Sequence, residues 1–392
     1  MSHVLRFAVV GGGARGWHLA SLLKNLLGVE LVAVCDPDPG ALARWRGLGV
    51  RLFRDFEEMV RWEEFDAAIV SSPWAFHARQ SIRLLEEGKH VLCEVPACLT
   101  LEECWELLDA AKGSGAVYMM GENYCFMREQ LAVLRMAEEG VFGDLTYAEC
   151  GYIHDVRNLL LKPDGGLTWR GEEARRRRGV IYPTHSIGPV AKWLGIGRHD
   201  EFVELVAMDT RPASLAQYAR EVFGSDHPAA KEEFWRCGDS AIALISTKRG
   251  ALIVLRVDIA SPRPHNLTYY HLQGTRGAYL SGRWWGEEGL VWIRGVSPGD
   301  SLHMSPEPAR WEPISKYYDK YEHPLWRSAW RPGIEAHHGG GDYVMLKAFI
   351  SAAREGGEPF ISVYDAVTWS AIIPLSGKSI AEGRSVEFPR FR

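Results

Sequence analysis

The chain is predicted to be α/β in its first third and α+β thereafter. A Rossmann dinucleotide-binding domain should occupy residues 1–123, and an α+β domain on a mainly antiparallel, open-faced sheet should follow over 124–392. Three observations predict this. A buried-strand run, Leu5-Arg6-Phe7-Ala8-Val9-Val10, leads straight into Gly11-Gly12-Gly13-Ala14-Arg15-Gly16, the pattern G-x-G-x-x-G. Strand and helix patterns then alternate as far as residue 123. Beyond it the pattern becomes strand-like runs joined by short turns such as Lys248-Arg249-Gly250, as in antiparallel sheets.

After the glycine-rich turn, a helical pattern runs from about Trp17 to Leu27, and a second strand, Glu30 to Cys35, ends in Asp36. Glycines let the backbone approach a pyrophosphate, and the following helix N-terminus receives its charge. The Asp36 carboxylate suits two ribose hydroxyls and would repel a 2′-phosphate, so NAD is the expected cofactor rather than NADP. Asp66 to Ser71 reads as the next strand, and Ser72-Pro73-Trp74-Ala75-Phe76-His77 leads into a helix reaching Glu87. Gly88-Lys89-His90 turns the chain into Val91-Leu92-Cys93-Glu94, followed by Val95-Pro96. Thr100, with Glu103 three residues on, opens a helix to about Lys112 as a capping box. Val117 to Met120 is the last strand of the set and ends at Gly121-Glu122-Asn123. Parallel sheets bind ligands at the C-terminal ends of their strands, which makes His77, Glu94, Glu122 and Asn123 candidate functional residues.

A helix near Glu129 to Glu139 opens the second domain, followed by strands at Leu145 to His154, Phe202 to Met208, Ser240 to Thr247, Leu252 to Ile259, Leu267 to Gln273 and Gly289 to Ile293. Tyr152 and His154 are two apart in one strand and share a face. In Val180-Ile181-Tyr182-Pro183-Thr184-His185, Pro183 suits the first turn of a helix, so Tyr182 and His185 should stand on one side of its start. A helix N-terminus disfavours imidazolium and would keep His185 able to accept a proton. Spacing alone leaves open that both are ordinary first-turn residues. Ser297 to Gly341 reads as a surface excursion, Asp342 as the cap of a helix from Tyr343 to Glu355, and Asp365 to Glu382 as a final helix. The last helices are expected to pack back on the first domain, and the open sheet face to join copies into a homo-oligomer.

Composition narrows the function. The net charge of −5 argues against nucleic acid, with Arg175 to Arg178 read as a solvated helix end. No run is apolar enough for a membrane span. Seven cysteines without metal-type spacing suggest reduced thiols, and Val4 enters a strand pattern with no apolar signal region, so the expected location is cytoplasmic. His337 and His338 lack a Cys or carboxylate to complete a ligand set, so no metal is expected.

The glycine-rich turn, the Ser72 to His77 segment, Gly88-Lys89-His90-Val91 and the order of the second domain resemble the glucose–fructose oxidoreductase / inositol dehydrogenase (Gfo/Idh/MocA) superfamily. Its dehydrogenases mostly carry Glu-Lys-Pro after the fifth strand, the lysine assisting proton transfer; here the triplet is Glu94-Val95-Pro96, and valine moves no proton. A narrower resemblance accommodates this. Glu94-Val95-Pro96-Ala97, Gly121-Glu122-Asn123, Glu149-Cys150-Gly151-Tyr152-Ile153-His154-Asp155, Leu167-Thr168-Trp169-Arg170, Tyr182-Pro183-Thr184-His185 and His338-Gly339-Gly340-Gly341-Asp342-Tyr343 resemble glycoside hydrolase family 109, NAD-dependent glycosidases with α-N-acetylgalactosaminidase as the named activity. The resemblance implies a carbohydrate substrate and a route of C3 oxidation, C2 deprotonation, elimination, water addition and re-reduction, with NAD recycled in place. It implies catalytic roles for Glu122, Tyr152, Tyr182 and His185, with Arg170 also binding substrate. It implies nucleotide contacts at Ala14, Arg15, Gly16, Asp36, Trp74 to His77, Glu94, Val95 and Asn123. His265 stands where the family would lead one to expect a substrate-contacting tyrosine, and the twin-arginine export signal frequent in the family is not seen. A sugar or cyclitol dehydrogenase that releases NADH is the alternative, and a non-catalytic NAD-binding protein a third reading.

Overall fold

The computed structural model describes residues 4–264, 267–284, 286–329 and 338–392. The chain forms two compact units: residues 1–127, 325–371 and 391–392 make up the first, and residues 128–324 and 372–390 the second.

The first unit holds a six-stranded sheet in the order β3-β2-β1-β4-β5-β6, every pair parallel. Its strands are β1 (Leu5–Val10), β2 (Val29–Cys35), β3 (Arg51–Phe53), β4 (Ala67–Val70), β5 (His90–Cys93) and β6 (Tyr118–Met120). The short, unalternating β3 was not read from the sequence, being three residues long. β1 and β4 are buried almost throughout because helices cover both faces of such a sheet, hence their continuous apolar runs. Helix α1 (Ala14–Leu23) follows β1, α2 (His77–Glu86) follows β4 and α3 (Leu101–Ser114) follows β5. The expected capping box opens α3: Glu103 N donates to Thr100 Oγ1 at 3.1 Å, and Thr100 N to Glu103 Oε2 at 3.2 Å. The expected final helix is two, Val363–Ser370 and Ile372–Glu382, separated at Ala371.

The second unit is built on a nine-stranded sheet, ordered β14-β13-β12-β11-β7-β10-β9-β8-β15. Here β7 is Leu145–Ile153, β8 Phe202–Asp209, β9 Ser240–Thr247, β10 Leu252–Asp258, β11 Leu267–Gly274, β12 Gly277–Leu280, β13 Leu290–Ile293, β14 Glu312–Pro313 and β15 Val386–Glu387. Only the β7–β10 pair is parallel. β9 alternates buried and less buried residues along its length, as a sheet with one covered face requires. Helix α5 (Thr184–Leu194) lies against β7 and β11, and its buried Ile187, Val190 and Trp193 fill the covered side. It is preceded by α4 (Trp169–Arg176). Part of the expected 297–341 excursion falls outside the described residues; the described part contains β14 and the short helices Tyr318–Tyr321 and Pro324–Ala329.

Candidate functional site

In the first unit the glycine-rich turn is shaped by close contacts. A Cβ on Gly11, whose φ is +98°, would lie 2.6 Å from the Ser71 backbone, and one on Gly16 would lie 2.1 Å from the Gly11 carbonyl. A Cβ on Gly13 would meet nothing within 4 Å, so the start of α1 opens onto free space. Gly13 caps α1 without a side-chain acceptor, and no acid sits in its first turn, as a helix end that receives an anion requires. Asp36, just past β2, is fixed by Gly12 N donating to Oδ2 at 2.8 Å and Asp38 N to Oδ1 at 2.9 Å. A carboxylate has about four acceptor positions, so acceptor capacity remains for two ribose hydroxyls. Trp74 and Phe76 lie in a 3-10 turn after β4, both half-buried. The Gly13 opening, the uncapped helix start and the fixed carboxylate fit a dinucleotide.

Other expected nucleotide residues form a charged knot. Arg15 donates from Nε to Glu94 Oε1 at 2.8 Å and from both terminal nitrogens to Asp342, at 2.9 and 2.7 Å. Asp342 also meets His18 Nε2 at 2.9 Å and accepts from Asn123 Nδ2 at 3.0 Å, at 1 % exposure. Burial opposes the charge of Arg15, but Glu94 and Asp342 outweigh it and hold the guanidinium above its ordinary value. Asp342 is therefore not the helix cap read from the sequence. The helix Gly341–Glu355 is capped by Gly340, at φ +83°, and a Cβ on Gly341 would sit 2.5 Å from the Asn123 carbonyl. The glycines before Asp342 thus let its carboxylate reach the knot. That motif was the one available signal for Asp342; nothing in the sequence marked His18. The Asn123 Oδ1 atom is buried with no hydrogen-bond partner among the described residues, an acceptor suited to a donor from outside the protein.

His77 is buried at 1 %, with Nδ1 2.8 Å from Pro96 O and Nε2 2.7 Å from Ser72 O. Carbonyl oxygens only accept, so both ring nitrogens must donate and the ring is an imidazolium. Burial opposes this charge, but Cys93 and the two carbonyls push His77 up to about 9. Val95 is buried at 2 % in the turn that His77 holds. Glu122 is wholly buried in the first unit, and its Oε1 accepts from Tyr124 N at 3.1 Å, capping the turn Asn123–Phe126.

The second unit brings Tyr152, Tyr182 and His185 together. Their ring centroids lie 5.4 Å apart (Tyr152–Tyr182), 5.2 Å (Tyr152–His185) and 5.0 Å (Tyr182–His185). Tyr182 Oη lies 3.1 Å from His185 Nε2, and Tyr152 Oη 2.7 Å from His154 Nδ1. α5 begins at Thr184, with the Pro183 carbonyl accepting from Ser186 and Ile187, one residue later than the spacing predicts. Pro189 inside α5 has no N–H for the His185 carbonyl; the Tyr270 hydroxyl, from β11, donates to it instead. That substitution anchors His185 to the sheet. Thr168 caps α4 by accepting from Gly171 N, which sets Arg170 in its first turn with the guanidinium 4.1 Å from the Trp169 ring centre. Burial draws Arg170 down from its ordinary value, while Tyr182 and Tyr152 act in the opposite direction. A guanidinium whose charge is felt by two phenols favours their ionised forms. His265 lies outside the described residues, as does His337. Among the described residues no group of three His, Cys, Asp or Glu could hold a metal, and no helix is long and apolar enough to cross a membrane.

The first unit's strand order and nucleotide cradle are those of a dinucleotide-binding domain. Residues 5–122 match the family described as "Oxidoreductase family, NAD-binding Rossmann fold". Residues 126–392 match "Glycosyl hydrolase 109, C-terminal domain", and the chain belongs to glycosyl hydrolase family 109. Among its relatives, a family 109 protein of Solibacter usitatus is 34 % identical, the match covering 99 % of this chain and 88 % of the relative. An α-N-acetylgalactosaminidase of Tannerella forsythia is 34 % identical, over 99 % and 86 %. Among solved structures, levoglucosan dehydrogenase with NADH and L-sorbose superposes with a TM-score of 0.77 over 100 % of both chains, at 20 % identity. An Agrobacterium radiobacter oxidoreductase with NAD+ gives 0.72 over 98 % of each, at 18 %. These two likenesses concern the fold.

Proposed function

We propose that the protein is an NAD-dependent glycosidase, acting on hexosides of the N-acetylgalactosaminide kind by transient oxidation at C3, deprotonation at C2, elimination, water addition and re-reduction. The observation that carries the reading is the cluster of Tyr152, Tyr182 and His185, with Arg170 acting electrostatically on the two phenols. When bound, NAD supplies a reversible two-electron acceptor that ends each cycle unchanged. The glycine-rich turn, Asp36, the Trp74–Phe76 turn and Asn123 would hold it. Tyr182 and His185, paired at 3.1 Å, pass the C3 hydroxyl proton between them and steady the oxyanion. The C3 ketone acidifies the C2 hydrogen, which Tyr152 removes; Arg170 favours its phenolate and offers a fork of donors to a sugar oxygen. Glu122, wholly buried, assists by capping the turn that carries Asn123, and His265 stands at the position that tunes substrate preference.

Two further readings accompany this one. The outward residues Val206, Met208, Ile242, Leu244 and Leu252 of β8, β9 and β10 are 39–77 % exposed, an apolar face suited to joining two copies of the chain. All seven cysteines are free and buried, as suits a reducing cytoplasm. The test of the function incubates the purified protein with nitrophenyl glycosides of both anomers and follows aglycone and NADH absorbance together. Aglycone release without accumulating NADH is expected. NADH growing in step with substrate loss, without cleavage, would identify a dehydrogenase instead.

A further inference from the structure

We infer that His154 acts through Tyr152, as the positioning residue that takes the phenol proton and so makes the phenol a base for the C2 hydrogen. The inference rests on the glycosidase reading above. A tyrosine hydroxyl with its ordinary pKa of about 10 is almost wholly protonated at neutral pH, so a tyrosine base needs a place for its proton. Such a place is within reach: Nδ1 of His154 lies 2.7 Å from the Tyr152 hydroxyl, the two rings meeting edge to face at 86°. The end of β7 builds this pair: Tyr152 lies in the strand and His154 one residue past its last residue, Ile153, and residues two apart in extended backbone share a face. The main chain at His154 is also tied to the sheet, its backbone N–H donating to the Asp258 carbonyl at 3.0 Å just beyond the β7–β10 ladder.

The surroundings favour moving that proton. Asp155 is gripped by Arg157, with contacts of 2.8 and 2.7 Å. Arg157 above all keeps the Asp155 carboxyl below its ordinary range, and His154 contributes in the same direction, so an ionised carboxylate acts on the imidazole. The phenol ring also neighbours Tyr182 and His185, and it feels the Arg170 guanidinium, whose charge favours a phenolate. The ionised pair, phenolate and imidazolium, is thus supported at both ends. In the step, the phenol proton passes to Nδ1 and the phenolate oxygen takes hydrogen from C2. The C2–H electron pair becomes the C1=C2 bond of the enone as the C1–O bond breaks. The aglycone oxygen takes one proton from the pair, which ends as it began. Water addition reverses the same transfers.

The experiment follows C2–H exchange in heavy water and NADH formation in a single turnover, for wild type and His154→Gln holoenzyme. Glutamine can hydrogen-bond the phenol but cannot hold its proton. His154→Gln should form NADH at a rate within about 3-fold of wild type while C2 exchange falls by about 100-fold, the scale of a lost general base. Its KM should be little changed, and the acid limb of the kcat–pH profile should disappear. Equal loss in both measurements, or unchanged exchange, would overturn the inference while leaving the glycosidase reading intact. A wild type that shows no exchange removes that reading and the inference together. Ring-15N NMR of the wild type provides a check independent of any variant: His154 Nε2 should carry a proton at neutral pH, and a neutral ring with its proton on Nδ1 alone would overturn the assignment.

Discussion

Tyr152 shares its hydroxyl with His154, its ring neighbours Tyr182 and His185, and it feels the charge of Arg170. Removing one oxygen therefore isolates its chemistry. Tyr152→Phe should lose C2 exchange and turnover by about 100-fold or more while NAD affinity is unchanged; fluorescence titration with NAD and exchange in heavy water measure the two separately. The Arg15 knot tests the other unit. Asp342→Ala leaves a partly buried guanidinium with only Glu94, which should cost on the order of 3 kcal/mol in urea denaturation and weaken NAD binding. Asp36 was legible because its place after β2 is local in sequence. Asp342 was misread as a cap because its partner Arg15 lies 327 residues away, a pairing that no spacing rule reaches.

At the scale of the element, α5 carries His185 only because its broken hydrogen-bond ladder is repaired. Pro189 leaves the His185 carbonyl to Tyr270, so Tyr270→Phe should orphan it, costing about 1–3 kcal/mol by denaturation and lowering kcat. The helix start was legible in Pro183, whereas the repair from β11 was not, since it needs the register of a sheet assembled from distant strands. The loops after β4 and β5 are held by His77 in the same way. Its pKa, raised to about 9 from an ordinary 6.5, means that its contribution is complete below pH 6.5 and is lost as pH rises through 9. Wild-type stability should fall across that window, by on the order of 3 kcal/mol. His77→Asn should lack this part of the fall, and parallel curves would show that His77 is not the titrating group.

At the scale of the whole molecule, the parallel sheet apart from β3 is legible in the sequence, because strand and helix patterns alternate at short spacing. Six strands of the second sheet are legible in the sequence, but the short β12, β14 and β15 are not, nor is the order: β7 lies between β10 and β11, more than 100 residues later in the chain. The apolar face of β8, β9 and β10 predicts self-association. Replacing Met208 and Ile242, paired across β8 and β9, with lysine should reduce the mass seen by light scattering to that of one 44.0 kDa chain. The account as a whole stands on glycoside cleavage proceeding through the C2 carbanion. The direct measurement is turnover of a nitrophenyl glycoside in heavy water, with NMR of the released sugar. The account predicts deuterium incorporated at C2 of the released sugar and no net NADH; cleaved sugar with no deuterium at C2 would contradict it.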